Sequence, residues 1–299
     1  MSFEIRAMTL AEILDTGFQL VKNRFGLLAG VSLLGQAPGI VFFSVFSGFY
    51  DPFSTASEDM ADIGASLIAA AALYFLMTML LFPFVISAVV KTVGDLYLGK
   101  QLSFGDVVRS GLSRMLPLLV TYVIFVLVSA VIMGLGVAVV AVAVSAISTL
   151  LGDQGALGGA IAALLVIAGV FGFIAGGLIY FVASLIVAAV VVLEEISLFE
   201  AIARTWVLVT SAPGRAIGVA VTVYLIVAVP AVGVQVLVGV VPLLGALLSG
   251  VVQAVGYAYM FATTVVLYFD IRCRRESFDL EYLARMVEGR EPSAVGPLF

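Results

Sequence analysis

Residues 116–151 read LPLLVTYVIFVLVSAVIMGLGVAVVAVAVSAISTLL, and no Asp, Glu, Lys or Arg interrupts them. At 1.5 Å per residue this is about 54 Å of apolar helix, against about 30 Å for the hydrocarbon core of a bilayer. A run of that length and purity has lipid as its solvent. Working outward, five more uncharged runs appear: 25–50, 64–90, 154–193, 216–241 and 242–269. The last two abut, and together they are too long for one span. Pro242 and Gly245 divide them. The fold class expected is all-α: a polytopic membrane protein with six transmembrane helices in a single membrane domain, 1–299.

Composition agrees. Hydrophobic residues fill 63% of the 299 positions and charged ones 11%, whereas about a quarter of a soluble domain is charged. No basic face of any size exists, so nucleic acid is excluded as a partner. There is no histidine, which removes the commonest general base and metal ligand. The one cysteine, Cys273, excludes an intrachain disulfide. Its neighbours Arg272, Arg274 and Arg275 would favour a reactive thiolate; an incidental thiol is the plainer reading. A signal peptide is not expected, because the first apolar run begins only at Phe25 and is too long for one.

The cations fix an orientation. Arg6, Lys22 and Arg24 precede the first run. Lys91, Lys100, Arg109 and Arg114 lie between the second and third, Arg204 and Arg215 between the fourth and fifth. Arg272, Arg274, Arg275, Arg285 and Arg290 follow the sixth. The other connections carry only Asp51, Glu58, Asp59, Asp62 and Asp153. Positive charge stays on the cytoplasmic side, so both termini are expected there, in a bacterial inner membrane. Cutting each of the two longest runs in two would give eight helices and still obey this rule.

An internal repeat favours six. Thr9-Leu-Ala-Glu12, Ser103-Phe-Gly-Asp106 and Ser197-Leu-Phe-Glu200 each place an acid three positions after a hydroxyl, as a helix-capping box does. Ser103 stands 94 positions after Thr9, and Ser197 94 after Ser103. Each start opens an amphipathic stretch: Leu10, Ile13, Leu14, Phe18, Val21 and Phe25 in the first, Phe104, Val107, Val108, Leu112 and Met115 in the second, Leu198, Ile202, Trp206 and Val209 in the third. Such spacing lays a helix flat at the membrane surface. The unit predicted is an interfacial helix plus a transmembrane hairpin, in repeats 9–100, 103–194 and 197–270, followed by a cytoplasmic segment 271–299 with a polar helix from about Ser277 to Glu288. The two longest spans are expected to kink near Gly134-Leu-Gly136 and Gly176-Gly177, and Pro38, Pro83 and Pro230 to kink theirs.

Three stretches carry a resemblance: Leu10-Ala-Glu-Ile-Leu-Asp15 through Arg24-Phe-Gly-Leu-Leu28; Val190-Val-Val-Leu-Glu194 with Glu200-Ala-Ile-Ala-Arg204-Thr-Trp206-Val-Leu208; and Tyr268-Phe-Asp270-Ile-Arg272-Cys-Arg274-Arg-Glu276-Ser-Phe-Asp279. With these the chain resembles the bacterial family named for the membrane domain of glycerophosphoryl diester phosphodiesterase. Glu195 and Ser277 stand where that family has glycine. The resemblance implies fold and location, not activity. The roughly 30 residues after the last span leave no room for a phosphodiesterase barrel, and the histidines such an enzyme would use are missing.

No catalytic, cofactor-binding or metal-ligating constellation emerges. Asp51, Glu58, Asp59 and Asp62 could attract a divalent cation, but a solvated acidic loop explains them better. Glu194, Arg204, Asp270, Arg272, Arg274, Glu276 and Asp279 form a patch at the ends of the spans. Two readings stand: a site docking a lipid headgroup or another membrane or cytoplasmic protein, and a set of charges paired with one another at the interface. Gly172 and Gly176 fit the small-residue helix-packing pattern. Gln36, Gln235 and Gln253 are the most polar groups within spans and could line a path for a small solute or lipid. A transporter or permease is therefore the alternative to a non-enzymatic role in membrane organisation, sensing or docking. Ion-coupled transport usually needs an ionisable group within a span, and this chain has none there.

Overall fold

The computed structural model describes residues 5–49, 60–100, 102–151, 155–238 and 242–287. Among them there is no strand. The helices are α1 (Leu10–Asn23), α2 (Phe25–Phe49), α3 (Met60–Tyr97), α4 (Phe104–Leu151), α5 (Gly155–Ala189), α6 (Leu198–Ser211), α7 (Pro213–Val238), α8 (Pro242–Glu276) and α9 (Phe278–Val287). A π-helical turn, Val190–Glu194, prolongs α5. Six of these helices, α2 to α5, α7 and α8, are long and apolar enough to cross a membrane. The architecture is that of a multi-pass membrane protein.

Several helices run past the uncharged stretches at their charged ends. α3 continues through Lys91 and Asp95, and α8 through Arg272 to Glu276. α4 and α5 pass unbroken through Gly134, Gly136, Gly176 and Gly177, and Pro38, Pro83 and Pro230 lie inside helices that continue beyond them.

The three capped segments are built alike but not identically. At α1 the capping box is complete: Thr9 N–H donates to Glu12 Oε2 at 2.6 Å, and Glu12 N–H to Thr9 Oγ1 at 3.3 Å. The hydrogen bond from Arg6, helped by Thr9, holds the Glu12 carboxyl at about 2, below its usual range. At α4, Ser103 and Asp106 make the same reciprocal pair at 2.9 and 3.3 Å. The third box fails. Ser197 makes no side-chain cap; only Ile196 separates it from the left-handed Glu195, and the amide of Leu198 donates instead to Thr121 Oγ1 of α4 at 2.9 Å.

The joints differ too. α1 ends at Arg24, with φ −133°, before α2 begins. α6 ends at Ala212, because Pro213 disfavours helix in the residue before it and opens α7 at its first position. The second segment has no joint and is the first part of the 48-residue α4. Pro117 lies within α4 without ending it: Leu118 is fully buried, and the Thr121 hydroxyl donates to the Pro117 carbonyl at 2.7 Å.

Burial follows the 94-residue spacing. Ile13, Val107 and Ala201 are buried, as are Gly17, Gly111 and Thr205 one helical turn on. Phe18, Leu112 and Trp206, the next positions, are 58%, 61% and 56% exposed. The inner face thus joins Ile13, Val21, Val107 and Val209 of the expected faces to a stripe of small residues, while Phe18, Leu112 and Trp206 point outward. Gly17 shows why: a Cβ there would lie 2.3 Å from Thr263 Oγ1 and 3.1 Å from Thr263 Cα, so only glycine lets α1 lie this close to α8.

Each amphipathic segment packs on the second span of the preceding hairpin. α1 rests on α8, the first turns of α4 on α3, and α6 on α5. The arrangement closes into a ring. Residues 185–194 of α5 and its π-turn and residues 260–273 of α8 fill its centre, with the lower part of α3 beside them.

Candidate functional site

Four described residues are left-handed; Leu198 (φ 59°) opens α6, and the other three mark where hairpins end at the charged end of the bundle: Gly99 (φ 82°), Glu195 (φ 61°) and Ser277 (φ 53°). This conformation favours glycine. Each of those three turns the chain from a long helix toward the next one.

At the second of these corners, the π-turn aims Glu194 into the protein, where its side chain is fully buried. Glu194 accepts bonds from Arg204 Nε at 3.0 and 3.2 Å and from the Tyr268 hydroxyl at 2.7 Å. Arg204 also pairs with Glu276. Arg272, 3% exposed, donates to Glu276 at 2.8 Å and to Tyr268 Oη at 3.2 Å, and its guanidinium lies 4.5 Å from the centre of the Phe278 ring. Partial burial opposes the charge on Arg204, but Glu194 and Glu276 outweigh it and raise its affinity for the proton. The network ties α5, α6, α8 and α9 together.

A second centre surrounds Asp270, 1% exposed. It accepts from Met8 N–H at 2.7 Å, from Arg215 Nε at 2.6 Å and from Arg274 Nε at 3.3 Å. Arg215 and Arg274 both donate to the Met8 carbonyl, Arg274 at 2.8 Å. The backbone just before α1 is thereby clamped between α7 and α8. The two earlier corners are bridged by a few residues of chain. The corner between α8 and α1 joins distant parts of the sequence, and Asp270 is its bond.

Smaller pairs complete this end. Arg114 meets Glu195, and Lys100 lies 3.4 Å from Asp95. Arg275 donates to the carbonyl of Ser211, the last residue of α6, where a cation suits the negative end of a helix. Tyr282 of α9 reaches the Leu98 carbonyl at 3.4 Å, which sets Lys100 and Arg204 at the same end of the bundle.

Of the seven residues expected to cluster, six do, but in two separate centres: Glu194, Arg204, Arg272 and Glu276 in one, Asp270 and Arg274 in the other. Asp279, half-buried in the first turn of α9, joins no ion pair among the described residues. Sequence reading missed Arg215, Tyr268 and the Met8 backbone. Arg215 is the one cation at the foot of α7, and that isolation was the available signal. Cys273 is buried, and its arginine neighbours bond elsewhere, so the reactive-thiolate reading falls.

Other expectations fare variously. Gly172 has open space where a Cβ would point, whereas a Cβ on Gly169 would lie 3.0 Å from Val140 and one on Gly176 3.4 Å from Met133. The close approach of α4 and α5 therefore runs through Gly169 and Gly176, seven residues apart on one face. Gln36 and Gln253 are half-buried and Gln235 is exposed. None of the three lines the two large grooves, one between α1, α7 and α8 and one between α4 and α5. Asp51, Glu58, Asp59 and Asp153 lie outside the described residues, as do the side chains of Asp62 and Arg285 and all of Arg290. The charged end holds helices in register through these pairs. No protein-family model, curated protein or solved structure matches this chain.

Proposed function

We propose that this chain is a non-enzymatic organiser of the bilayer, a multi-pass protein of the bacterial inner membrane with both termini cytoplasmic. The observation that carries the reading is the α4–α5 hairpin. Its apolar stretches amount to about 54 and 58 Å of helix, and a steep tilt of about 40° still leaves about 41 Å of the shorter, more than a ~30 Å core accepts. Only 6% of an 18-residue apolar window of α4 is buried. Val131, Leu135, Val139, Leu164 and Phe171 are each more than 60% exposed. The lipid around such a hairpin must thicken to cover it, which is a bilayer-organising act in itself.

The burial recurring at the 94-residue spacing supports three like units on one side, of which α1 and α6 are separate helices and the second is continuous with the span of α4. The resemblance noted in the sequence agrees with this reading of fold and place. Docking through the charge patch has little support, since six of its seven members bond to one another or to the backbone. Transport is weakened by the placement of the three glutamines.

The test is reconstitution of the full chain into vesicles of short-chain and of long-chain phosphatidylcholine. We expect it to enrich in the thicker lipid and to raise local thickness by scattering, without solute flux or lipid scrambling. Flux, scrambling or indifference to chain length overturns the reading. For orientation, a reporter fused after Phe299 should stay cytoplasmic and one inserted near Thr55 should be exported; the reverse pattern refutes it.

A further inference from the structure

α2 and α7 both pack on α8 but share no packed face. Between them an open groove of about 720 Å³ runs along α8 under the edge of α1. Its deep part is apolar, lined by Pro230 of α7 and Val251 of α8. Its mouth, at the charged end of the bundle, carries Phe18 and Phe25, and beside them the exposed Asp15 and Lys22. Asp15 accepts a bond from Gln19 at 2.7 Å, and Tyr259 closes the near end through the Leu14 carbonyl at 3.3 Å. Lys22 makes no ion pair among the described residues.

One carboxylate and one ammonium thus flank an apolar slot, about 10 Å apart along α1 at 1.5 Å per residue. Neither charge recurs with the repeat. The positions 94 residues after Asp15 and Lys22 hold Arg109 and Leu116, and those after them Ala203 and Thr210. The other units carry their surface charges in other patterns, at Arg109 and Arg114 and at Glu200 and Arg204, and neither holds a carboxylate and an ammonium at these two positions. This pair belongs to the one unit that has the groove.

We infer that the groove between α1, α7 and α8 binds a phospholipid with a phosphoethanolamine headgroup, its phosphate on Lys22, its primary ammonium on Asp15 and an acyl chain in the slot. A primary ammonium donates hydrogen bonds to a carboxylate; a choline group has no hydrogen to give. An anionic headgroup would meet Asp15 with the wrong sign. The inference rests on the membrane reading above.

The experiment uses the full chain carrying Phe18→Trp and Trp206→Phe, in phosphatidylglycerol vesicles doped with brominated-chain lipid. Brominated phosphatidylethanolamine should quench the reporter with about tenfold higher apparent affinity than brominated phosphatidylcholine, the worth of one charge-assisted hydrogen bond. Exchanging the charges (Asp15→Lys with Lys22→Asp) should abolish that preference. So should the milder pair Asp15→Asn with Lys22→Met, which alters only exposed side chains and tests the site if the exchange disturbs folding. Equal quenching by the two lipids, or a preference that survives both variants, overturns the site. Absence of quenching by any brominated lipid would instead mean that the chain is not in the bilayer, and would sink the membrane reading itself.

Discussion

Asp270→Asn should lower stability by about 3–5 kcal/mol, the scale on which breaking a buried ion pair leaves its partners uncompensated. The carboxylate faces Arg215, Arg274 and the Met8 amide at once. The amide replacement keeps the shape and removes the charge. Its NH2 group then confronts guanidinium donors, and the backbone at Met8 loses its strongest acceptor. The change should be local as well as global. Residues 5–9 should become open to protease and to hydrogen exchange before the bundle melts, because no covalent link spans that corner of the ring. The measurements are the thermal midpoint in detergent and exchange at the Met8 amide. An unchanged midpoint with unchanged exchange would show that the clamp does not close the ring.

Glu194→Gln should be comparably damaging, again about 3–5 kcal/mol. Its side chain is fully buried, with Arg204 and the Tyr268 hydroxyl bonded to it. The variant leaves Arg204 with Glu276 as its remaining acid partner, and Tyr268 with a weaker acceptor. A double variant with Arg204→Met separates the pair from the site. Removing the stranded cation should recover part of the loss, so the two effects should fall well short of adding. Strict additivity in the thermal midpoints would mean that the carboxylate and the guanidinium stabilise the protein independently.

The two centres explain what sequence reading could and could not reach. The six long helices were legible because charge is excluded from 116–151 and its fellow runs, and bilayer thickness turns run length into span count. The capping boxes at Thr9 and Ser103 were legible because they act within one helical turn. The third was misread, since the bond that replaces it comes from Thr121, 77 positions away in sequence. The amphipathic faces were right at Ile13, Val21, Val107 and Val209 but extended to Phe18 and Trp206, where packing between helices instead selects small neighbours such as Gly17 and Thr205. For Cys273 the plainer reading, an incidental thiol, stands, since the neighbouring guanidiniums turn toward Glu276, Asp270 and the Ser211 carbonyl. Gathering six of the seven charged residues was within reach of pattern reading. Dividing them into two centres needed the ring.

The missing joint in α4 has a mechanical meaning. α1 and α6 can keep their places while the helices after them lean, since Arg24 and Ala212 interrupt each rod. Phe104 and Leu151 sit on one stiff shaft of about 72 Å. With no joint between its two ends, α4 has nothing to absorb a displacement of one tip before it reaches the other: it is a lever made of a single unbroken rod.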